Sequence, residues 1–174
     1  MRGQLLIASP ALIDPNFRRT VVLVAEHDPA GALGVVLNRP TTHTVSEAVS
    51  ELDRADRLHS GGPVQPSSLI VIADFVEPDL AALLIDRDIG FPGQGADLQD
   101  IDRWARRVRF FAGYAGWGPG QLDGELESED WIIAPFEADD AFGGEPDSLW
   151  SRALERKGGR FALLARMPED PSVN

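Results

Sequence analysis

The residues that could do chemistry in this sequence stand where glycine is densest. Between Gly113 and Gly120, four glycines surround Tyr114 and Trp117, and Gln121 follows. Glycine lets a second backbone or a ligand come close, while Tyr and Trp each offer a large apolar body with one polar handle. Around Gly116-Trp117-Gly118, small residues free backbone N–H groups at the start of a helix, an arrangement suited to an anion. The spacing is G-x-G-x-G, not the G-x-G-x-x-G of a dinucleotide site. A second glycine group, Gly61-Gly62-Pro63, and the strand-end pair Asn38-Arg39 add further backbone and polar groups. The ligand-binding candidates are therefore Asn38, Arg39, Gly61, Gly62, Pro63, Tyr114, Gly116, Trp117, Gly118 and Gln121. The structural alternative for the same residues is a crowded crossing of the fold, with Arg19 or Arg39 hydrogen-bonding loop carbonyls.

Elsewhere the sequence excludes more than it offers. Ser9 and Ser60 lack the G-x-S-x-G elbow of a hydrolase nucleophile. His27, His43 and His59 show neither H-E-x-x-H nor other close ligand spacing, so no metal is assigned. The absence of cysteine removes thiol catalysis and thiolate metal sites. Lys157 is the only lysine, and no G-x-x-x-x-G-K exists, so a P-loop nucleotide site is out. No catalytic residue and no cofactor are expected. Arg103, Arg106 and Arg107, expected on one side of a helix with Arg109 just beyond, form the one basic cluster that could touch nucleic acid. Asp97, Asp100 and Asp102 share that helix, which favours a salt-bridged, solvated face.

Composition points the same way. The 174 residues carry 28 acidic and 16 basic side chains, a net charge of -12. Such a field repels phosphate backbones, so direct nucleic-acid binding and an anionic membrane are disfavoured as partners. No basic residue falls between Arg109 and Arg152, which reads as a solvated acidic face. No run reaches the roughly 18 apolar residues of a membrane helix. The N-terminal apolar run is too short for a signal peptide, and the lack of cysteine fits a reducing compartment. The expectation is a single cytoplasmic domain over residues 1–174, with an unknown protein or small-molecule partner.

The elements that must position these residues follow from patterning. Gly3–Ala8, Thr20–Glu26 and Ala32–Leu37 read as strands, the last two forming a hairpin turned at Asp28–Gly31. They are apolar at nearly every position, which implies burial on both faces. Ser9–Phe17 is a loop. Thr44 and Glu47 form a capping box for a helix to about Leu52. Residues 59–66 read as irregular, Leu69–Phe75 as a strand, Ala81–Ile85 as strand in preference to helix, and Gly90–Gly95 as a flexible loop. Asp97 caps a helix through Arg107, and Val108–Ala112 is a strand leading into the glycine-rich stretch. A helix follows from Pro119 to near Ser128, then a strand at Trp131–Ala134 and a helix from Glu145 to Lys157. Phe161–Met167 is undecided between helix and strand. Strands mingled with helices and hairpins predict a mixed sheet with helices packed outside.

With these segments in place, the chain resembles the YqgE/AlgH family (UPF0301). The resemblance rests on Gly3–Pro10, Asp14–Phe17, Arg19–Val22, Glu26-His27, Gly31–Gly34 and Leu37–Pro40. It continues through Gly61–Val64 and Gly113–Leu122 with Glu125, spans nearly the whole chain and is weakest from Val76 to Arg106. It implies an α+β fold whose mixed, mainly antiparallel, bifurcated sheet curls into a pseudo-barrel with helices packed outside. It implies little about chemistry, because the family is largely uncharacterised; some members are described as transcriptional regulators without an evident DNA-binding domain. Family members often carry a histidine at the end of the strand after Gly-Gly-Pro-Val. Ala73-Asp74 stands there in this chain, so no role for that imidazole carries over. The residues before the glycine pair, often aromatic, are Leu58-His59-Ser60 here. The functional expectation is a non-enzymatic regulatory or binding protein without direct DNA contact. The alternative is a small-ligand sensor or enzyme with its site between the Gly61–Pro63 and Tyr114–Gln121 loops.

Overall fold

A computed structural model describes residues 1–168. Its centre is β9 (Ala105–Trp117), the longest strand and the branch point of a ten-stranded sheet. Along one edge β9 pairs antiparallel with β6 (Val64–Phe75), from Phe75 opposite Ala105 to Leu69 opposite Ala112. Its other edge is divided. Phe110–Ala112 pairs in parallel with β5 (Arg57–Ser60), and Ala115–Trp117 pairs antiparallel with β3 (Gly31–Val36). From the β3 side the sheet runs on through β2 (Val21–Asp28) and β1 (Gln4–Ala8) to β10 (Trp131–Pro135). From the β6 side it runs through β8 (Ile89–Pro92) to β7 (Ala81–Asp86), while β4 (Pro40–Thr44) pairs only with β5. This is the mainly antiparallel, bifurcated α+β sheet that the resemblance implies.

The two-faced burial read from the sequence is what the curled sheet requires. Leu5, Ile7, Val21 and Leu23 enter one core, with Trp150, Ala153 and Leu154 of α5 (Leu149–Lys157). Their alternates Leu6, Ala8, Val22 and Val24 enter another, with Trp117, Trp131 and Leu122 of α3 (Gln121–Glu127). A third core gathers Val71, Phe75, Phe110, Ile101 and Trp104. Each such aliphatic or aromatic burial contributes roughly 1.5–3 kcal/mol before conformational entropy is set against it.

Several stretches differ from the sequence expectation, and for those that become strand the reason is long-range pairing. The helix expected over 97–107 is a single 3-10 turn at Leu98–Asp100 followed by α2 (Ile101–Trp104). From Ala105 the chain joins β6, whose ladder outweighs helix propensity. Arg106 and Arg107 therefore lie on a strand rather than on one helical side with Arg103, and both bind Asp74, at 2.9 and 2.8 Å. The helix at Thr44 is α1 (Val45–Ala48) and ends early, with Val49 extended. Its Glu47 carboxylate does accept the Thr44 N–H, at 2.7 Å. Residues 59–66 and 90–95 are not wholly irregular: β5 includes His59 and Ser60, β6 starts at Val64, and Ile89–Pro92 is β8. The glycine-rich stretch is strand through Trp117, not loop. Two further short helices are α4 (Ala138–Phe142) and α6 (Arg160–Leu164), the latter overlapping the undecided segment. Among the described residues, no helix is long and apolar enough to cross a membrane.

Candidate functional site

The structure brings the two glycine groups together. Gly61 lies in the fork of β9: its N–H donates to Ala112 O at 2.8 Å, and its carbonyl accepts the Val36 N–H at 2.8 Å. It thereby ties β9 to β3. Three backbones meet there with no space for side chains. A Cβ on Gly61 would stand 2.2 Å from Gly113 O, and one on Gly62 2.2 Å from Tyr114 C. Gly62 and Gly113 also have φ of +147° and +71°, conformations that L side chains rarely adopt. Pro63 is exposed beside them and Tyr114 is half-buried.

Trp117 and Gln121 are held in a hydrogen-bond hub that sequence reasoning missed. One oxygen of Glu125 accepts both indole N–H groups, Trp117 and Trp131, each at 2.8 Å. The other accepts Gln121 Nε2 at 2.9 Å, and Gln121 Oε1 accepts the Gly118 N–H at 3.0 Å. Gln121 thus closes the turn between β9 and α3, beside the exposed Gly116 and Gly118. Phe17 caps the pair, 6.1 Å from the Trp117 ring and 5.7 Å from that of Trp131. The i,i+4 spacing of Gln121 and Glu125 at the start of a helix was the available signal for this hub.

Asn38 and Arg39 sit elsewhere, at the open end of the β2–β3 hairpin, where antiparallel pairing sets them beside Arg18 and Arg19. Asn38 is buried; its Oδ1 accepts the Val21 N–H at 2.8 Å and its Nδ2 donates to Arg19 O at 2.9 Å. This clamp holds Arg19 at φ +53°, a left-handed conformation that costs a non-glycine residue about 1 kcal/mol. The Arg19 guanidinium lies 4.4 Å over the Trp150 ring and donates to Met167 O, while Arg39 donates to Arg18 O. Both arginines thus bind loop carbonyls, as the structural reading of the sequence expected, and are held in place before any ligand arrives.

What these arginines border is a cleft of about 810 Å³. Arg18, Arg19 and Arg39 line it together with apolar Leu12, Ile13 and Met167. Ile13 is 86% exposed there. Ser9, Pro10 and Pro15 complete the wall contributed by the loop after β1. That loop is built from turns, with Leu12 N–H donating to Ser9 O and Asn16 N–H to Asp14 Oδ1. Phe17 fastens it to the tryptophan hub. Among the described residues, no three His, Asp or Glu side chains converge as a metal-binding group. Sequence reasoning named Arg39 but not Arg18 or Arg19 as site residues.

A forked, mainly antiparallel sheet with its glycine crossing, a Glu-bridged tryptophan pair and an arginine-lined cleft at the hairpin end defines an α+β pseudo-barrel class. This chain belongs to the AlgH-like family, whose family model matches residues 5–162. It is 38% identical to a UPF0301 protein of Chlorobaculum tepidum, over 99% of this chain and 95% of that one. A UPF0301 protein of Streptomyces avermitilis is 40% identical, over 100% and 95%. Among solved structures, a protein of Corynebacterium diphtheriae superposes with TM-score 0.83 at 26% identity, covering 95% of this chain and 91% of that one. The AlgH protein of Pseudomonas aeruginosa superposes with TM-score 0.77 at 28% identity, covering 96% and 94%.

Proposed function

We propose that this protein is a cytoplasmic, non-enzymatic binding protein with a regulatory role, and that it works by capturing a small anionic ligand in the arginine cleft. One observation carries this reading: Arg18, Arg19 and Arg39 line one open cleft beside apolar Leu12, Ile13 and Met167, a local basic group in a chain of net charge -12. The volume suits a metabolite-sized ligand. Guanidinium forks match carboxylate and phosphate oxygens, and the apolar residues beside them would cover a ligand's carbon skeleton. Prior anchoring of Arg19 and Arg39 lowers the entropy lost on binding. Five of the residues on which the family resemblance rests, Ser9, Pro10, Pro15, Arg19 and Arg39, line this cleft. The glycine crossing is the part of the fold that holds the hairpin end in place.

A thermal-shift screen against nucleotides, organic phosphates and polycarboxylates tests the proposal. A ligand at 100 times its Kd should raise Tm by roughly 5–10 °C for a chain of this size. The gain should vanish in Arg39→Gln while that variant keeps its own ligand-free Tm. A hit that survives Arg39→Gln, or no anionic hit at all, would sink it.

A further inference from the structure

A second group of cationic side chains lies on the fork itself. The parallel register of β5 on β9 sets Leu58 opposite Phe110 and His59 opposite Phe111. One step back, Arg57 stands level with Arg109 on the neighbouring strand. Alternation along each strand puts Leu58 and Phe110 into one core, and turns Arg57, His59, Arg109 and Phe111 to the opposite face. The His59 and Phe111 ring centroids are 5.6 Å apart, which agrees with that placement. Two like charges directly opposite each other on adjacent strands repel. Arg109 is also half-buried, so the repulsion is poorly screened by water.

No carboxylate relieves the pair. Among the described residues neither Arg57 nor Arg109 has an ion-pair or hydrogen-bond partner for its side chain. The acid on this face of β6 is Asp74, one same-face step from Ile72, the residue opposite Arg109. Arg106 and Arg107 already hold it, at 2.9 and 2.8 Å. Beside the two guanidiniums, His59 is 4% exposed, and its Nδ1 is buried without a hydrogen-bond partner. Buried polar nitrogens are nearly always paired, so this one marks a missing hydrogen-bond partner, and the two guanidiniums beside it, without a carboxylate, add uncompensated positive charge. With 28 acidic residues in the chain, the missing partner is not for want of supply.

We infer that Arg57, His59 and Arg109, brought to one face by the β5–β9 pairing with no carboxylate among them, form a second site, distinct from the arginine cleft, that takes a tetrahedral oxyanion of the phosphate class. The two guanidiniums supply the charge and paired N–H donors, and the imidazole supplies a third donor. Burial, then the positive charge of Arg109, push the His59 imidazole pKa down to about 4, so the ring is neutral at pH 7. Burial likewise holds Arg109 below the usual arginine range. A bound anion would reverse the electrostatic part of the His59 shift.

The test is a titration of the purified full chain with inorganic phosphate, followed by NMR of the arginine Nε–H and histidine ring signals, with thermal stability measured in parallel. Saturable shifts at Arg57, Arg109 and His59 are expected, with affinity about tenfold weaker in Arg57→Gln and unchanged in the cleft variant Arg39→Gln. Arg57 is exposed, so its replacement leaves the core intact; Arg109→Met, which keeps the aliphatic stem, is the second variant. In phosphate-free, low-salt buffer Arg57→Gln should raise Tm, because it removes a repulsion. Phosphate should then raise the Tm of the wild type more than that of the variant. Absence of saturable shifts at these three residues, shifts that persist unchanged in Arg57→Gln, or a lowered Tm for Arg57→Gln without phosphate would each overturn the inference. Loss of response in Arg39→Gln alone would assign the phosphate to the cleft.

Discussion

The glycine crossing at the β9 fork and the arginine cleft at the β2–β3 hairpin end are both rich in the residues that carry the family resemblance, yet they are opposite in physical kind. At the crossing, backbone meets backbone, and a single added carbon at Gly61 or Gly62 would fall 2.2 Å from another chain segment. Residue identity there is dictated by steric exclusion. At the cleft, arginine side chains anchored on loop carbonyls border open space, and the hydrophobic packing of the cores does not run through their guanidiniums. The contrast teaches that glycine-and-aromatic density marks a place where the fold has no slack, whereas binding capacity collects where the fold leaves room. Phe17 joins the two: its ring packs on the Glu125-bridged tryptophans, and its loop forms the cleft wall.

The largest effect should come from Gly62→Ala, which adds a Cβ against the Tyr114 backbone at φ +147°. We expect a loss of about 4 kcal/mol or more, seen in urea unfolding as a collapse of the midpoint or as failure to fold. A stable variant would mean the fork opens easily, and the contrast would break. Next comes acid. The His59 pKa falls from 6.5 unfolded to about 4 folded, so both states are neutral above pH 6.5 and stability is complete there. As pH drops from 6.5 towards 4, the unfolded chain takes up the proton and the folded one resists. Roughly 3 kcal/mol should be lost in that window and no more from this group below it. The pH dependence of His59→Phe, measured by denaturant melts, should be flatter by that amount.

Glu125→Ala should cost about 2–3 kcal/mol by leaving two indole N–H groups without their acceptor. Tryptophan fluorescence would follow the change, and Glu125→Gln, which retains one acceptor oxygen, should cost less. The smallest stability effect belongs to Arg39→Gln, within about 1 kcal/mol, although it should abolish anion capture at the cleft. If it unfolded the protein instead, Arg39 would be architecture, and the two regions would no longer differ in kind.

Much of the fold was legible in advance. Val21–Ala25 and Leu33–Leu37 are apolar without alternation, which only a strand buried on both faces tolerates, and Asp28–Gly31 supplied the turn. Trp131–Ala134 and the helix stopped by Gly158-Gly159 were equally plain. What failed was local reading where the partner was remote. Asp97 does cap a 3-10 turn, its carboxylate accepting the Gln99 N–H at 2.9 Å, but the expected helix yields at Ala105 because β6 lies alongside. Arg57–Ser60 and Ile89–Pro92 carry turn-forming neighbours and gain their strand geometry from β9 and from β6 and β7. In the site, Arg39 was legible as a polar strand end, whereas Arg18 and Arg19 fell between the loop and the strand read from the sequence and came to the cleft only through the hairpin's register.

The sequence by itself determined the family, the two-faced strands and the strongly acidic field. These depend on residue type and near neighbours, and so on sterics and hydrophobic period that any folded form must respect. Only the tertiary structure decided that the two glycine groups adjoin, that Glu125 bridges two tryptophans and that Arg18, Arg19 and Arg39 share one cleft. It alone put Arg57, His59 and Arg109 on one face. Those arrangements depend on strand register, and register is fixed by long-range burial and backbone pairing that no local window of sequence contains.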